Sequence, residues 1–141
     1  MTPRPLGRFF IPLNYLYAIL AILWTGLIVY TSSIPSQSFP GSGSMPEQII
    51  SNLAHIPEYA ILTFLWLKAF LARDFKGKHG LILIGLTAFS ILDEMHQSFV
   101  PGRSASCIDI GLDVIGIFLG FKLNTLCGLC ASTEVPHELD E

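Results

Sequence analysis

The sequence has few charged residues for its length. Only 13% of its 141 residues are Asp, Glu, Lys or Arg, and its mean hydropathy is +0.56. A water-soluble domain of this size needs more polar surface than that. The basic residues are scattered among hydrophobic segments, so they form no contiguous cationic face for nucleic acid. The composition therefore predicts the membrane lipid bilayer as a partner and argues against nucleic-acid binding.

Cysteine is scarce too, and its three positions are an odd set that cannot form a complete disulfide framework. Cys127-Gly-Leu-Cys130 has the spacing of a redox motif. It closes a hydrophobic segment, however, whereas a reactive thiol usually lies where a helix begins. A zinc site would have only His137 nearby as a third ligand, and structural zinc takes four. We therefore assign no function to these cysteines.

Long apolar segments occur four times along the chain. A hydrocarbon core of about 30 Å needs about 20 such residues in a helix. The segments run approximately over residues 9–30, 52–71, 80–100 and 108–129. No small-x-small cleavage site follows the first, so we interpret it as a retained anchor. The sequence thus predicts an all-α membrane protein, a four-transmembrane-helix bundle over residues 1–130, with an acidic, disordered tail at 131–141.

Local motifs predict where the helices begin and end. Ser44-Met45-Pro46-Glu47 resembles a capping box before the second helix, and Ser106-Cys107-Ile108-Asp109 resembles another before the fourth. Pro101-Gly102 ends the third helix. Pro57 falls inside the second segment, where a proline removes one amide and favours a kink.

The orientation follows from the basic residues, because cytoplasmic loops are enriched in Lys and Arg. They precede the first segment and separate the second from the third, at Arg4, Arg8, Arg73, Lys76 and Lys78. The first loop has none and the third has only Arg103. We therefore expect a multi-pass protein of the inner (cytoplasmic) membrane, with both termini cytoplasmic and loops one and three outside.

Polar residues in these segments share faces at one depth. Asn52, His55 and Tyr59 follow the i, i+3, i+7 pattern of a single helix face. Ionisable groups inside a span cost about 2.5 to 3.5 kcal/mol each, so they usually face the interior. With the orientation above, the second, third and fourth segments meet at the outer leaflet with the third loop. Each contributes polar side chains there: Asn52, His55, Tyr59, Ser90, Glu94, Gln97, Arg103, Asp109 and Asp113.

We take this convergence as the signal of function. Glu94 and His55 lie deepest and are the candidate catalytic residues. The candidate ligand-binding residues are Arg103, Gln97, Asp109, Asp113, Tyr59 and Asn52. Several have simpler interpretations: Asp109 as a helix cap, and Tyr59 and Asn52 as packing partners. Asp93 and His96 point away from the Glu94 face, and we assign them to the headgroup interface.

The face of the fourth segment that carries the two aspartates continues into small residues. Gly116 and Gly120 form a GxxxG pattern, which lets another helix approach closely. That helix could belong to the same chain, or to a second copy in an oligomer.

Four stretches together resemble the VanZ-like family of integral membrane proteins: Asn52-Leu-Ala-His55 to Tyr59, Ile91-Leu-Asp-Glu94-Met-His-Gln97, Pro101-Gly-Arg103, and Asp109 to Gly120. The resemblance runs from about Ser32 to Gly120. Many members carry Asp-Lys where this chain has Ser51-Asn52. The family's name-giving member is associated with low-level resistance to the glycopeptide teicoplanin. The resemblance therefore implies an envelope-related function and a role in glycopeptide tolerance.

Three functions fit these observations. The first is binding of an anionic lipid or a lipid-linked envelope precursor, with Arg103 pairing with an oxyanion and the carboxylates orienting a hydroxyl or cationic part. The second is an intramembrane enzyme for a lipid-linked phosphate, in which Glu94 and His55 act as acid and base or hold a divalent cation. The third is a structural or partner-binding protein. No specific metal or cofactor is indicated.

Overall fold

The computed structural model of the protein describes residues 14–35, 45–70, 79–103 and 105–132, except the side chains of 45–51 and 129–132. The regular secondary structure in these ranges is entirely α-helical, which confirms the all-α prediction. There are four helices: α1 (Tyr15–Ser32), α2 (Met45–Ala69), α3 (His79–Gln97) and α4 (Cys107–Ser132). Each overlaps one of the predicted apolar segments.

Several sequence-based expectations lie outside the described residues. These are the start of the first segment, the cap of α2 at Ser44, the five basic residues on which the predicted orientation rests, and the acidic tail. Pro57 lies inside α2, as expected.

The helices run alternately up and down. At one end of the molecule, the amide of Asn14 before α1 donates to the carbonyl of Ala69 at the end of α2, at 2.9 Å. At the other end, the hydroxyl of Ser32 in the last turn of α1 reaches Asp93 near the end of α3. The start of α4 contacts Glu94 of α3 at this same end. We call it the polar end; α1 and α3 finish there, and α2 and α4 run away from it.

Helix α4 begins where the capping pattern predicts. The hydroxyl of Ser106 accepts a hydrogen bond from the amide of Ile108 at 3.2 Å, and its carbonyl accepts one from the amide of Asp109 at 3.1 Å. Between α3 and α4 the chain turns at Gly102, whose φ of 78° is a conformation that residues with a side chain rarely adopt. This tight turn brings the end of α3 next to the start of α4.

The outer surface of the described structure is largely apolar, and ionisable side chains are buried inside. A small cluster of buried apolar residues fills its centre: Ile28, Tyr59, Leu62, Leu86 and Ile117. Many large apolar side chains are exposed instead, up to 82% for Phe99, while Glu94 and Asp113 are each only 1% exposed. Two helices, Tyr15–Ser32 and Cys107–Gly128, are long and apolar enough to cross a membrane. This distribution suits a lipid solvent better than water.

Helices α2 and α4 pack backbone to backbone at two glycines. A β-carbon added at Gly116 would collide with the carbonyl oxygen of Ile56, and one added at Gly120 would collide with that of Ala60. The GxxxG pattern therefore serves a contact within the chain. An oligomer through the same face would have to displace α2.

We predict that Gly120→Ala destabilises the protein by about 1–3 kcal/mol, because overpacking would push α2 away from α4. The new methyl group would also crowd the Cβ of Thr63. Thermal unfolding in detergent measures the effect. Gly111→Ala on the same helix is the control, since its added methyl group meets nothing within 4 Å and alanine favours a helix by about 1 kcal/mol over glycine. Equal losses in both variants would contradict the prediction.

Candidate functional site

A buried histidine of α2 pairs with a buried aspartate of α4. The Nδ1 atom of His55 lies 2.9 Å from Oδ1 of Asp113. The second carboxylate oxygen of Asp113 accepts a hydrogen bond from the hydroxyl of Ser90 on α3, at 2.6 Å. Three helices thus converge on one carboxylate, and both of its oxygens have partners. These contacts fix the orientation of the His55 ring.

Glu94 of α3 caps the start of α4, in the place that the capping box predicts for Asp109. In a capping box, the acidic residue at the third helical position would bind the backbone N–H of the capping residue. Here that N–H, from Ser106, donates to Oε2 of Glu94 at 2.9 Å. Asp109, which occupies the third helical position, is therefore not needed for this bond. The capping signal in the sequence is confirmed, but its acceptor comes from a different helix.

Two carboxylate oxygens in this region are buried without a hydrogen-bond partner among the described residues, Oε1 of Glu94 and Oδ1 of Asp109. Each of His55, Glu94 and Asp109 offers one ligand atom, and these three atoms lie within 4.8 Å of one another. We call His55, Glu94, Asp109 and Asp113 the acid–His cluster. It can accept hydrogen bonds from a hydroxyl or ammonium group, or hold a metal ion.

A second cluster of polar residues at the polar end joins α1 to α3. Oδ2 of Asp93 accepts hydrogen bonds from the hydroxyl of Ser32 at 2.8 Å and from the amide nitrogen of Gln97 at 3.1 Å. Arg103 donates from Nη1 to Oε1 of Gln97 at 3.2 Å. We call Ser32, Asp93, Gln97 and Arg103 the latch.

The guanidinium of Arg103 also binds the end of α1. Its Nη2 donates to the carbonyl of Thr31 at 3.0 Å, and its Nε donates to the carbonyl of Ile34 at 3.1 Å. The last carbonyls of a helix have no partners within it, and a cation near them is favoured by the helix dipole. Arg103 thus caps α1 while holding α3. Three of its five N–H groups are used in this way.

Comparison with known protein families matches residues 9–128 to the family described as VanZ/LLP1. The chain belongs to the VanZ/LLP1 family. The matched residues include the acid–His cluster, the latch and the two glycines of the α2–α4 contact. The resemblance seen in the sequence is therefore confirmed over most of the chain. No curated protein and no solved structure matches the chain.

In this VanZ/LLP1 protein the predicted site residues divide into groups. The structure brings His55, Glu94, Asp109 and Asp113 together in the acid–His cluster. Gln97 and Arg103 lie in the latch. Tyr59 is fully buried below the cluster, with its ring 6.2 Å from that of Phe89 between centroids. Asn52 is half-buried one turn before His55.

One sequence-based interpretation is wrong. Asp93 was expected at the headgroup interface, yet it is only 5% exposed and is bound by Ser32 and Gln97. The four-residue spacing between Asp93 and Gln97 was the available signal, because such residues are neighbours on a helix. Ser32 offered none, since a single serine at the end of an apolar segment is ordinary. His96 is exposed, and its Nε2 lies 3.0 Å from the hydroxyl of Ser33.

We predict that Arg103→Ala lowers the stability of the VanZ/LLP1 protein in detergent by about 1–3 kcal/mol. The substitution removes the Arg103 donors from Oε1 of Gln97 and from the carbonyls of Thr31 and Ile34. The Thr31 carbonyl keeps the amide of Ile34 as a donor. Arg103→Lys should lose less, because lysine keeps the charge but lacks the planar fork. The exposed Lys122→Ala is the control. Thermal unfolding of an Arg103→Ala protein at the wild-type temperature would show that the latch contributes no stability.

Proposed function

We propose that this VanZ/LLP1 protein is a four-span membrane protein of the cell envelope that binds the headgroup of an anionic lipid or a lipid-linked envelope precursor. The binding site is the acid–His cluster at the polar end. Oε1 of Glu94 and Oδ1 of Asp109 carry the proposal, because both are buried carboxylate oxygens without a partner among the described residues. Burying such groups unpartnered is costly, and a bound headgroup would offset that cost.

The chemistry of the acid–His cluster and the latch supports an amphiphilic ligand. The carboxylates accept hydrogen bonds, so they orient hydroxyl or ammonium groups of the headgroup. Arg103, in the latch at the same end of the molecule, keeps two N–H groups beyond its contacts with Thr31, Ile34 and Gln97, and these are available to a phosphate or carboxylate. The apolar outer surface of the helices leaves room for acyl chains beside the headgroup.

The proposed topology has four spans and cytoplasmic termini, so the polar end faces outward. The alternating helices support four crossings with both termini on one side, and the basic residues of the sequence are the argument that this side is cytoplasmic. In that arrangement the acid–His cluster lies at the outer leaflet, where an envelope precursor is displayed.

The native cysteines offer a test of this orientation. Cys107 begins α4 and Cys127 follows 20 residues later, about 30 Å along the helix; both are exposed. We predict that a membrane-impermeant maleimide labels a protein that retains only Cys107 in intact spheroplasts. It should label a protein that retains only Cys127 only after the spheroplasts are permeabilised. Serine replaces the other cysteines in each protein. The reverse pattern would put the polar end in the cytoplasm and contradict the proposed orientation.

We predict that Glu94→Gln and Asp109→Asn each weaken retention of an anionic lipid about tenfold. Loss of one hydrogen bond to a charged group is worth about 1.5–3 kcal/mol, and 1.4 kcal/mol is a factor of ten. Mass spectrometry of lipid that co-purifies with the protein, followed by exchange against phosphatidylglycerol, measures this. Cells that express the variants should also lose any teicoplanin tolerance conferred by the wild type.

Glu58→Gln is the matched control, because Glu58 is a half-buried carboxylate on α2 outside the acid–His cluster. Its lipid content should equal that of the wild type. If Glu94→Gln and Asp109→Asn retained the same lipid as Glu58→Gln, the cluster would not be the binding site.

A second candidate function is an intramembrane enzyme for a lipid-linked phosphate. The His55–Asp113 pair favours it, since a carboxylate on Nδ1 orients a histidine that acts as a base through Nε2. His55 would take a proton from a water molecule as its oxygen attacks the phosphorus, and a protonated Glu94 would give its proton to the oxygen of the P–O bond that breaks. Turnover of a lipid-linked phosphate by the wild type, and its loss in His55→Gln, would favour the enzyme over the binding protein.

A further inference from the structure

The acid–His cluster has the donor arrangement of a metal site. His55, Glu94 and Asp109 come from three different helices, and their ligand atoms lie within 4.8 Å of one another. Neighbouring ligands around a tetrahedral ion are about 3.4 Å apart when each lies about 2.1 Å from it. A small movement of side chains therefore brings all three into contact with a single ion.

The unpaired oxygens are a second and independent observation. Glu94 is 1% exposed and Asp109 is 8% exposed, and each has one oxygen without a partner among the described residues. The two unpartnered oxygens do not cap α4, because the N–H of Ser106 is bound by Oε2 of Glu94. One cation between the two side chains would satisfy both oxygens.

The neighbouring contacts orient the ligands as protein metal sites usually do. A metal-binding histidine almost always places its second ring nitrogen against a carboxylate or carbonyl. His55 places Nδ1 against Asp113, which leaves Nε2 as the ligand atom, and Ser90 fixes Asp113 in turn. Oε2 of Glu94 is held by the amide of Ser106, so Oε1 is directed away from it.

Charge points to the same conclusion. The acid–His cluster contains three carboxyl groups and one imidazole, and the imidazole, which contacts Asp113, is charged only when it is protonated. The nearest basic side chain in the latch, Arg103, donates instead to Thr31, Ile34 and Gln97. In lipid, an excess of buried negative charge is unfavourable, and a divalent cation would compensate it.

We propose that His55, Glu94 and Asp109 bind a divalent transition-metal ion such as Zn²⁺ or Mn²⁺. One imidazole with two carboxylates suits these ions, since imidazole favours zinc and carboxylates favour manganese. Three protein ligands leave at least one coordination position open, as in sites where an ion binds water or substrate. The inference goes beyond the proposed function, because ion binding is measured without lipid.

The test uses the purified full-length protein in detergent, stripped with EDTA and then dialysed against Zn²⁺ or Mn²⁺. We expect about one ion per chain by mass spectrometry, and a higher unfolding temperature with the ion than with EDTA. Addition of Co²⁺ should give the visible spectrum of an ion bound by nitrogen and oxygen. Glu94→Gln and Asp109→Asn should each lower the affinity at least tenfold.

Asp93→Asn is the control, because Asp93 is a buried carboxylate of the latch and offers no ligand to the cluster. It should bind the ion like the wild type. If all four proteins bound the ion equally, the ion would be bound elsewhere, and the proposal would be wrong. If the wild type bound no ion and EDTA did not change its unfolding temperature, the proposal would also be wrong. The comparison of unfolding temperatures with the ion and with EDTA uses only the wild type, so it tests the proposal even if the variants misfold.

The two proposals fail separately. A metal-free protein that still retains lipid in a Glu94-dependent way would overturn the ion site and leave lipid binding intact. A protein that binds an ion through Glu94 and Asp109 but retains no anionic lipid would overturn lipid binding and leave the ion site intact.

Discussion

Two helices can approach only as closely as the residues between them allow, and at Gly116 and Gly120 that limit is set by the backbone of α2. His55 immediately precedes Ile56, whose carbonyl faces Gly116, and Asp113 lies one turn before Gly116. The glycine contact therefore sets the distance at which His55 meets Asp113. The pair in turn positions the ligand atoms of the acid–His cluster. A wider spacing between α2 and α4 would separate these atoms even if every polar residue were kept.

The solvent explains why the polar groups are inside. In lipid a polar side chain has no water to bind, so it must find a partner within the protein or a ligand. The exposed surface is accordingly rich in large apolar residues, and the buried set includes Asp93, Glu94 and Asp113. Since lipid provides no hydrophobic force between helices, close packing and polar contacts such as the latch must hold them together. The small apolar core is sufficient for that reason.

Spacing and capping signals in the sequence were enough to predict the helices, the capping of α4 by Ser106 and the meeting of His55, Glu94, Asp109 and Asp113. They could not predict that Arg103 caps α1, because its acceptors are backbone carbonyls of Thr31 and Ile34, and residue types carry no record of a backbone acceptor. The face of Asp93 was misjudged for a related reason. Its partner Ser32 comes from a helix whose rotation the sequence leaves open.

The latch and the acid–His cluster lie at the same end of the molecule and contain similar residues, so neither burial nor composition distinguishes their roles. Hydrogen bonding does. In the latch, Asp93 has two donors and Arg103 has three acceptors, and no buried polar atom of the latch lacks a partner among the described residues. In the acid–His cluster, Oε1 of Glu94 and Oδ1 of Asp109 have no partner among the described residues. A ligand would offset the cost of burying them unpartnered, which is why we propose the acid–His cluster, and not the latch, as the binding site.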